Sequence, residues 1–390
     1  MLRRVRKREK MRFIHLSDVH LGAAPDRGYP WCEKRREEIW ESFRRVIAAI
    51  EDDPVDILLI AGDLFHRQPL LSELREVAYL FGRIPNTRIY LAAGNHDYIS
   101  PDSFYRGFTW PENVVFFPSE TPQRVKDALL PVYIYGLSYE HAQISDPLYQ
   151  DLFPWQDREA QTDQEQDDQE EEGTEEYHIL LAHGGDDDHI PIDVRGLLRS
   201  GFDYIALGHI HKPQILFRDR AAYAGSLEPL DHTELGDHGF IRGWTNHGIL
   251  HTRFVSFSER TYRRIELEMS EEDTQGSIET RLRECISNEG PGNIYRIILK
   301  GQRAPEQLIF TERLKRLGNI IEVEDQTRPA FDLPDLYHRF RGTILGDYIW
   351  SFASDQNGKL DFSALSEVEE KALYFGLQAL LETSQLSGQR

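Results

Sequence analysis

The sequence predicts an α/β sandwich with smaller elements appended to it. Three observations point there: short apolar runs of strand length, helical patterns between several of them, and tight glycine turns at the joints.

The runs Arg12–Ser17, Asp56–Ala61, Thr87–Ala93, Val132–Leu137, His178–Ala182 and Tyr204–Leu207 read as buried strands. Lys34–Ile50 places Ile39, Phe43, Val46, Ile47 and Ile50 on one helical face, and Ser72–Phe81 repeats the pattern. After Ala222 the chain turns strand-rich, with Ala222–Ala224, Phe240–Trp244 and Ile249–Phe257. Arg263–Met269, Ser277–Ile286, Tyr295–Leu299, Glu306–Leu317 and Ile320–Glu324 then read β-α-β-α-β, a small separate domain. Beyond Pro329 the chain reads as helical: Leu336, Phe340, Ile344 and Tyr348 recur every four residues until Asn357-Gly358 interrupts. Ser366-x-x-Glu369 has the capping-box pattern ahead of a last helix carrying Leu373, Leu377, Leu380 and Leu381. The expected organisation is a basic arm (1–10), a large α/β domain (11–258), a small α/β domain (259–328) and a helical C-terminal segment (329–390).

A chain of 390 residues that is 40% hydrophobic holds two or three domains and is not globally disordered. Its net charge of −21 speaks against a generally basic nucleic-acid surface. That charge is uneven: between Asp157 and Glu176 there are eleven acids and one base, so −10 of it sits in one insert. The insert holds no apolar residue besides Ala160. It is expected to be a disordered surface loop; a polyphosphate mimic over a basic cleft is the alternative. Two distant cysteines, Cys32 and Cys285, exclude a disulfide framework or a cysteine-built zinc site and point to a reducing cytoplasm. No run approaches the ~18 apolar residues of a membrane span. Arg3-Arg4-Val5-Arg6-Lys7-Arg8 lacks the apolar core of a secretory signal, so it reads as a solvated start or a phosphate-touching tail.

The strand tips carry the chemistry. In order they are Asp18-Val19-His20, Gly62-Asp63, Gly94-Asn95-His96-Asp97, His183-Gly184 and Gly208-His209-Ile210-His211. Asp-x-His alone is cheap, recurring at Asp187/His189, but five such tips after apolar runs are not. Residues i and i+2 of an extended strand face one side, so Asp18 with His20, and His209 with His211, are expected to reach common points. Open α/β sheets collect ligands at their carboxyl edge. Carboxylate, imidazole and one amide oxygen, without thiolate, suit Mn²⁺ or Fe²⁺, tolerate Zn²⁺ and are too nitrogen-rich for Ca²⁺. Seven ligands are too many for one ion and suit two.

This series resembles the calcineurin-like metallophosphoesterase superfamily. The resemblance implies a two-sheet αββα metallophosphoesterase sandwich in which Asp18, His20 and His211 hold one metal and Asn95, His183 and His209 the other. Asp63 would bridge, and His96 would act as the acid, positioned by Asp97. A hydroxide activated between the two ions would attack a phosphodiester in line.

Gly62-Asp63-Leu64-Phe65-His66, Leu207-Gly208-His209-Ile210-His211-Lys212-Pro213-Gln214 and Ala224-Gly225-Ser226-Leu227-Glu228-Pro229-Leu230 resemble the DNA double-strand-break-repair exonuclease branch (SbcD-type). In that branch His66 would stand near the scissile phosphate. Asn95-His96-Asp97-Tyr98-Ile99-Ser100-Pro101 and Trp110-Pro111-Glu112-Asn113-Val114 resemble its Gram-positive DNA-repair exonuclease subgroup. The resemblance further implies a capping domain at 259–328, C-terminal helices that dock on an SMC-like coiled-coil ATPase, and a homodimer. The expected activity is a cytoplasmic, Mn²⁺-dependent DNA exonuclease/endonuclease acting on double-stranded ends. Candidates for a basic DNA track are Arg3–Arg12, Lys212, Arg218/Arg220, Arg263/Arg264 and Arg313–Arg316. The rival readings are a dimetal phosphodiesterase or phosphatase on a small substrate, and a DNA-end-binding scaffold for an ATPase.

Overall fold

The structure, a computed structural model, describes residues 11–154, 176–353, 360–363 and 365–387. The basic arm, the acidic insert apart from Glu176, and the Asn357-Gly358 break lie outside the described residues. The chain divides into two units between Tyr262 and Arg263.

The first unit begins β1 (Arg12–Leu16), α1 (Cys32–Asp52), β2 (Ile57–Ala61), α2 (Leu71–Gly82), β3 (Arg88–Ala92) and β4 (Val114–Phe116). It continues β5 (Gln123–Lys126), β6 (Val132–Gly136), β7 (Tyr177–His183), α3 (Val194–Arg199) and β8 (Tyr204–Gly208). Four further strands, β9 (Gln214–Phe217), β10 (Ala221–Tyr223), β11 (Gly239–Asn246) and β12 (Ile249–Ser256), complete it. Two six-stranded sheets result, ordered β12-β11-β1-β2-β3-β4 and β5-β6-β7-β8-β10-β9. Strands β1–β4 run parallel in one, as do β6, β7, β8 and β10 in the other, with antiparallel strands outside them.

The wholly apolar β2, Ile-Leu-Leu-Ile-Ala, is what a strand buried on both faces requires. Phe13, Leu59, Tyr90, Ile134, Ile179, Leu181 and Tyr204 pack between the sheets. Ile14, Leu58 and Ile60 point the other way, onto Ile39, Phe43, Val46 and Val77 of α1 and α2. Tyr135, Leu180 and Ile205 of the second sheet pack with Leu197 of α3. The layers are therefore α-β-β-α. Parallel strands carry their carboxyl ends to one edge, where the tips after β1, β2, β3, β7 and β8 meet.

The second unit contains β13 (Tyr262–Met269), α4 (Gln275–Glu289), β14 (Ile294–Arg303), α5 (Thr311–Leu314), β15 (Ile320–Asp325) and β16 (Arg328–Pro329). Helices α6 (Leu333–Arg339), α7 (Ile344–Ala353) and α8 (Glu367–Ser387) follow. Ile265, Ile278, Leu282, Ile297 and Leu314 form one core, and Leu336, Leu345, Ile349, Leu373 and Leu377 another.

Two local expectations fail here. Glu306–Leu317 is not one helix: the Gln275 carboxamide oxygen accepts the Phe310 N–H, and only Thr311–Leu314 is α-helical, followed by a 3₁₀ turn. The four-residue repeat after Pro329 is not one helix either. Gly342, at φ +78°, separates α6 from α7 and leaves Ile344 exposed rather than on the apolar stripe. The Ser366–Glu369 box is present, each residue's side chain accepting the other's backbone N–H.

Candidate metal centre

The tips do not converge as extended strand. Strands β1 and β8 end at Leu16 and Gly208, and Asp18 (φ 50°), His20 (φ 51°), Asp63 (φ 49°) and His209 (φ 97°) take left-handed backbone. Expecting an i, i+2 face of a strand was wrong: the side chains reach the edge through turns. Non-glycine residues there cost about 1–3 kcal/mol each, and such strain concentrates at functional sites. Cross-links hold the turns: Asp18 N–H and His20 N–H donate to the Gly62 and Asp63 carbonyls, and His209 N–H donates to the Asp18 carboxylate.

Two overlapping groups of donors result. The Nε2 atoms of His20 and His211 lie 3.0 Å apart, and these rings join Asp18 in one cluster. Asp63 Oδ2 lies 3.7 Å from His20 Nε2 and 3.4 Å from His183 Nε2, between the groups. On the far side, Asn95 Oδ1 is 2.9 Å from His183 Nε2 and 3.2 Å from His209 Nδ1. All seven residues singled out as metal ligands are thus brought together.

The nitrogens are committed. His183 Nδ1 donates to the Ala61 carbonyl at 2.8 Å and His211 Nδ1 to Glu234 at 2.7 Å, so the Nε2 of each turns inward. Lone pairs and carboxylates converging on one buried space fit a cation. Without one, only protons relieve the charge. Burial opposes protonation, yet Asp63 and Asp18 push His183 up to about 9. Glu234 and Asp18 do the same for His211, also against burial and also to about 9.

His66 and His96 flank this space, rings stacked at 5.2 Å, with His66 Nδ1 3.3 Å from His20 Nδ1. His96 N–H donates to Asp63 Oδ1, and its ring Nδ1 lies 3.2 Å from the His66 carbonyl. Asp97 does not hold the His96 ring, contrary to expectation. Its carboxylate accepts Gly94 N–H, Phe65 N–H and the Tyr105 hydroxyl, bracing the turns below the site. Burial and the nearby Asp63 charge push Asp97 up to about 7.

The calcineurin-like phosphoesterase profile matches residues 11–213, the span that holds every one of these donors. The chain belongs to that family. Among family relatives, the metallophosphoesterase YhaO of Bacillus subtilis is 27% identical over 321 residues, covering 76% of this chain and 73% of that protein. The DNA double-strand break repair protein Mre11 of Methanocaldococcus jannaschii is 29% identical over 244 residues, 58% of this chain and 59% of its own. Mre11 of Saccharolobus solfataricus is 24% identical over 333 residues, covering 78% and 79%. A calcineurin-like phosphoesterase is a metal-dependent hydrolase of phosphoesters, and the donor set described here offers it candidate ligands.

Sequence reasoning missed Asp186, Glu234 and Tyr105, which hold His209, His211 and Asp97. Only Asp186 left a trace, three residues before His189 in the run that also holds the Asp187/His189 pair. Of the candidate basic track, Arg313 pairs with Glu279, Lys315 with Glu312 and Arg264 with Glu266. Lys212, next to His211, is exposed and has no partner among the described residues. No described helix is long and apolar enough to cross a membrane.

Proposed function

We propose that this phosphoesterase is a Mn²⁺-dependent DNA exonuclease/endonuclease of break repair. The observation that carries the phosphodiester reading is the placement of Asp63 Oδ2 between the His20 and His183 nitrogens, with the His96 ring beside them. Asp18, His20 and His211 would hold one divalent cation and Asn95, His183 and His209 the other, with Asp63 shared. Such ions supply Lewis-acid polarisation and charge neutralisation at a phosphoryl group. The mixed oxygen and imidazole donors favour Mn²⁺, with Fe²⁺ or Zn²⁺ accommodated.

The protein's own groups do the rest. Held by Nδ1 on the His66 carbonyl, the His96 ring keeps Nε2 for the substrate, to stabilise the phosphorane charge or to protonate the departing oxygen. His66, stacked on His96, and the exposed Lys212 would contact the phosphate backbone. Support for DNA comes from the Mre11 relatives. Helices α6–α8, with Phe375 exposed, would dock an SMC-like ATPase, and helices of the phosphoesterase domain would serve a homodimer.

The test is Mn²⁺ with end-labelled duplex DNA beside bis-p-nitrophenyl phosphate. Cleavage of both is expected. Hydrolysis of the small ester with intact DNA would favour a small-substrate phosphodiesterase, and inertness toward both would leave a scaffold.

A further inference from the structure

His209 and His211, two residues apart, present opposite nitrogens to the centre. His209 turns Nδ1 toward Asn95, whereas His211 turns Nε2 toward His20. Each outward nitrogen lands on a carboxylate: His209 Nε2 on Asp186 Oδ2 and His211 Nδ1 on Glu234 Oε1, both at 2.7 Å.

Neither carboxylate is a loose surface charge. Asp186 Oδ1 accepts the Asp188 N–H at 3.0 Å and the His189 Nδ1–H at 2.8 Å. Its loop is pinned by Gly185 N–H to the His189 carbonyl and by reciprocal backbone bonds joining Ile144 to Asp188 and Ile190. A side chain at Gly185 would run into the Tyr223 hydroxyl, so the loop passes close against β10. Glu234 Oε2 accepts the Leu230 N–H at 2.9 Å and the Ser226 hydroxyl at 3.2 Å. Two separate segments therefore fix the two rings, each with its outward nitrogen on a carboxylate and its inward nitrogen facing the centre.

We propose that Asp186 and Glu234 are positioning residues that set the affinity of the two cation positions independently, Asp186 through His209 and Glu234 through His211. This rests on the dimetal reading above. A carboxylate partner raises the basicity of a ligating imidazole and locks its orientation, and its loss typically weakens metal binding about 10–100-fold. Glu234 is 13% exposed and Asp186 48%, so solvent screens the second more strongly. Glu234 is expected at the upper end of that range and Asp186 at the lower.

The experiment titrates Mn²⁺ into the metal-free full chain, reading free ion by electron paramagnetic resonance and heat by calorimetry. Wild type is expected to take two ions per chain. Asp186→Ala should weaken one class of site about 10-fold and Glu234→Ala the other about 100-fold, each sparing its neighbour. Asp186→Asn and Glu234→Gln keep an oxygen acceptor and should recover part of the loss. They also serve if an alanine variant fails to fold, which the melting temperature of the metal-free chain reports. Wild-type affinity in the variants, or equal weakening of both classes by either one, would overturn the assignment. A wild-type chain binding fewer than two ions would overturn the dimetal reading, and this inference with it.

Discussion

His211 presents Nε2 to His20 Nε2 at 3.0 Å while its Nδ1 is already spent on Glu234. A cation and a proton therefore compete for the same lone pair, and His183, tied to Ala61, is in the same position.

Metal uptake should consequently release protons. His183 and His211 are pushed up to about 9, so at pH 7.5 the metal-free chain carries both rings as imidazolium. Binding displaces up to one proton from each, and Mn²⁺ affinity should rise with pH until about 9 and then level off. The sign for stability is opposite. A raised folded pKa contributes stability that is fully present below the unfolded value of about 6.5 and is lost as pH rises through about 9. Calorimetry in buffers of different ionisation enthalpy measures the released protons. A pH-independent affinity between pH 6.5 and 9 contradicts the lone-pair assignment.

Asp97 and His96 are neighbours in sequence but should give different phenotypes. Asp97→Ala strands the Gly94 and Phe65 N–H groups and the Tyr105 hydroxyl in a buried space, at about 1–3 kcal/mol for each unsatisfied group. It should lower the melting temperature. His96→Ala removes an exposed ring and should leave stability unchanged while reducing kcat toward bis-p-nitrophenyl phosphate about 10²–10⁴-fold. Unchanged melting in Asp97→Ala would restore a purely catalytic role for it.

Gly94 is fixed by close approach rather than by dihedral angle. A Cβ there would fall on Asp63 Oδ1 and lie 2.8 Å from His183 Cε1. Gly94→Ala should displace the Asp63 carboxylate, and a misplacement of about 1 Å can cost about 10²-fold in rate. Mn²⁺ stoichiometry and kcat should fall together in a chain whose circular dichroism is native. Full activity would show that the Asp63 position is not critical.

How far the sequence reveals this site depends on how each residue reaches it. Asp63, Asn95, His183 and His209 close apolar runs beside a glycine, and a buried parallel strand delivers whatever follows it to the sheet edge. The left-handed backbone at Asp18 and His20 leaves no clear mark, because aspartate and histidine are only enriched there, whereas glycine is the residue that signals it. Asp186 and Glu234 each stand 23 residues from the histidine they hold, a separation with no periodicity to read. In the second unit the pattern misled for a local reason. Glu306–Leu317 has helical spacing, but Leu308 and Phe310 are exposed, so no core rewards winding the first turn.

The stretch Ser226-Leu227-Glu228-Pro229, which helped mark the DNA-repair branch, acts through packing. Glu228 is wholly buried, with Oε2 3.1 Å from Arg35 Nη1 and Oε1 accepting the Ser42 hydroxyl at 2.6 Å. Arg35, equally buried, also donates to Glu38 and to the Pro229 carbonyl, and Arg260 closes the network on Glu38. The cluster fastens α1 to the segment that carries Glu234. Breaking a buried pair from one side typically costs about 3–5 kcal/mol, because the remaining charge is stranded. Glu38 still faces Arg35, so Glu228→Gln should cost about 3 kcal/mol, near the lower bound. The urea midpoint of the metal-free variant measures this, and Mn²⁺ stoichiometry at low temperature should stay at the wild-type value. A variant that keeps its urea midpoint but loses an ion would move Glu228 from the scaffold to the site.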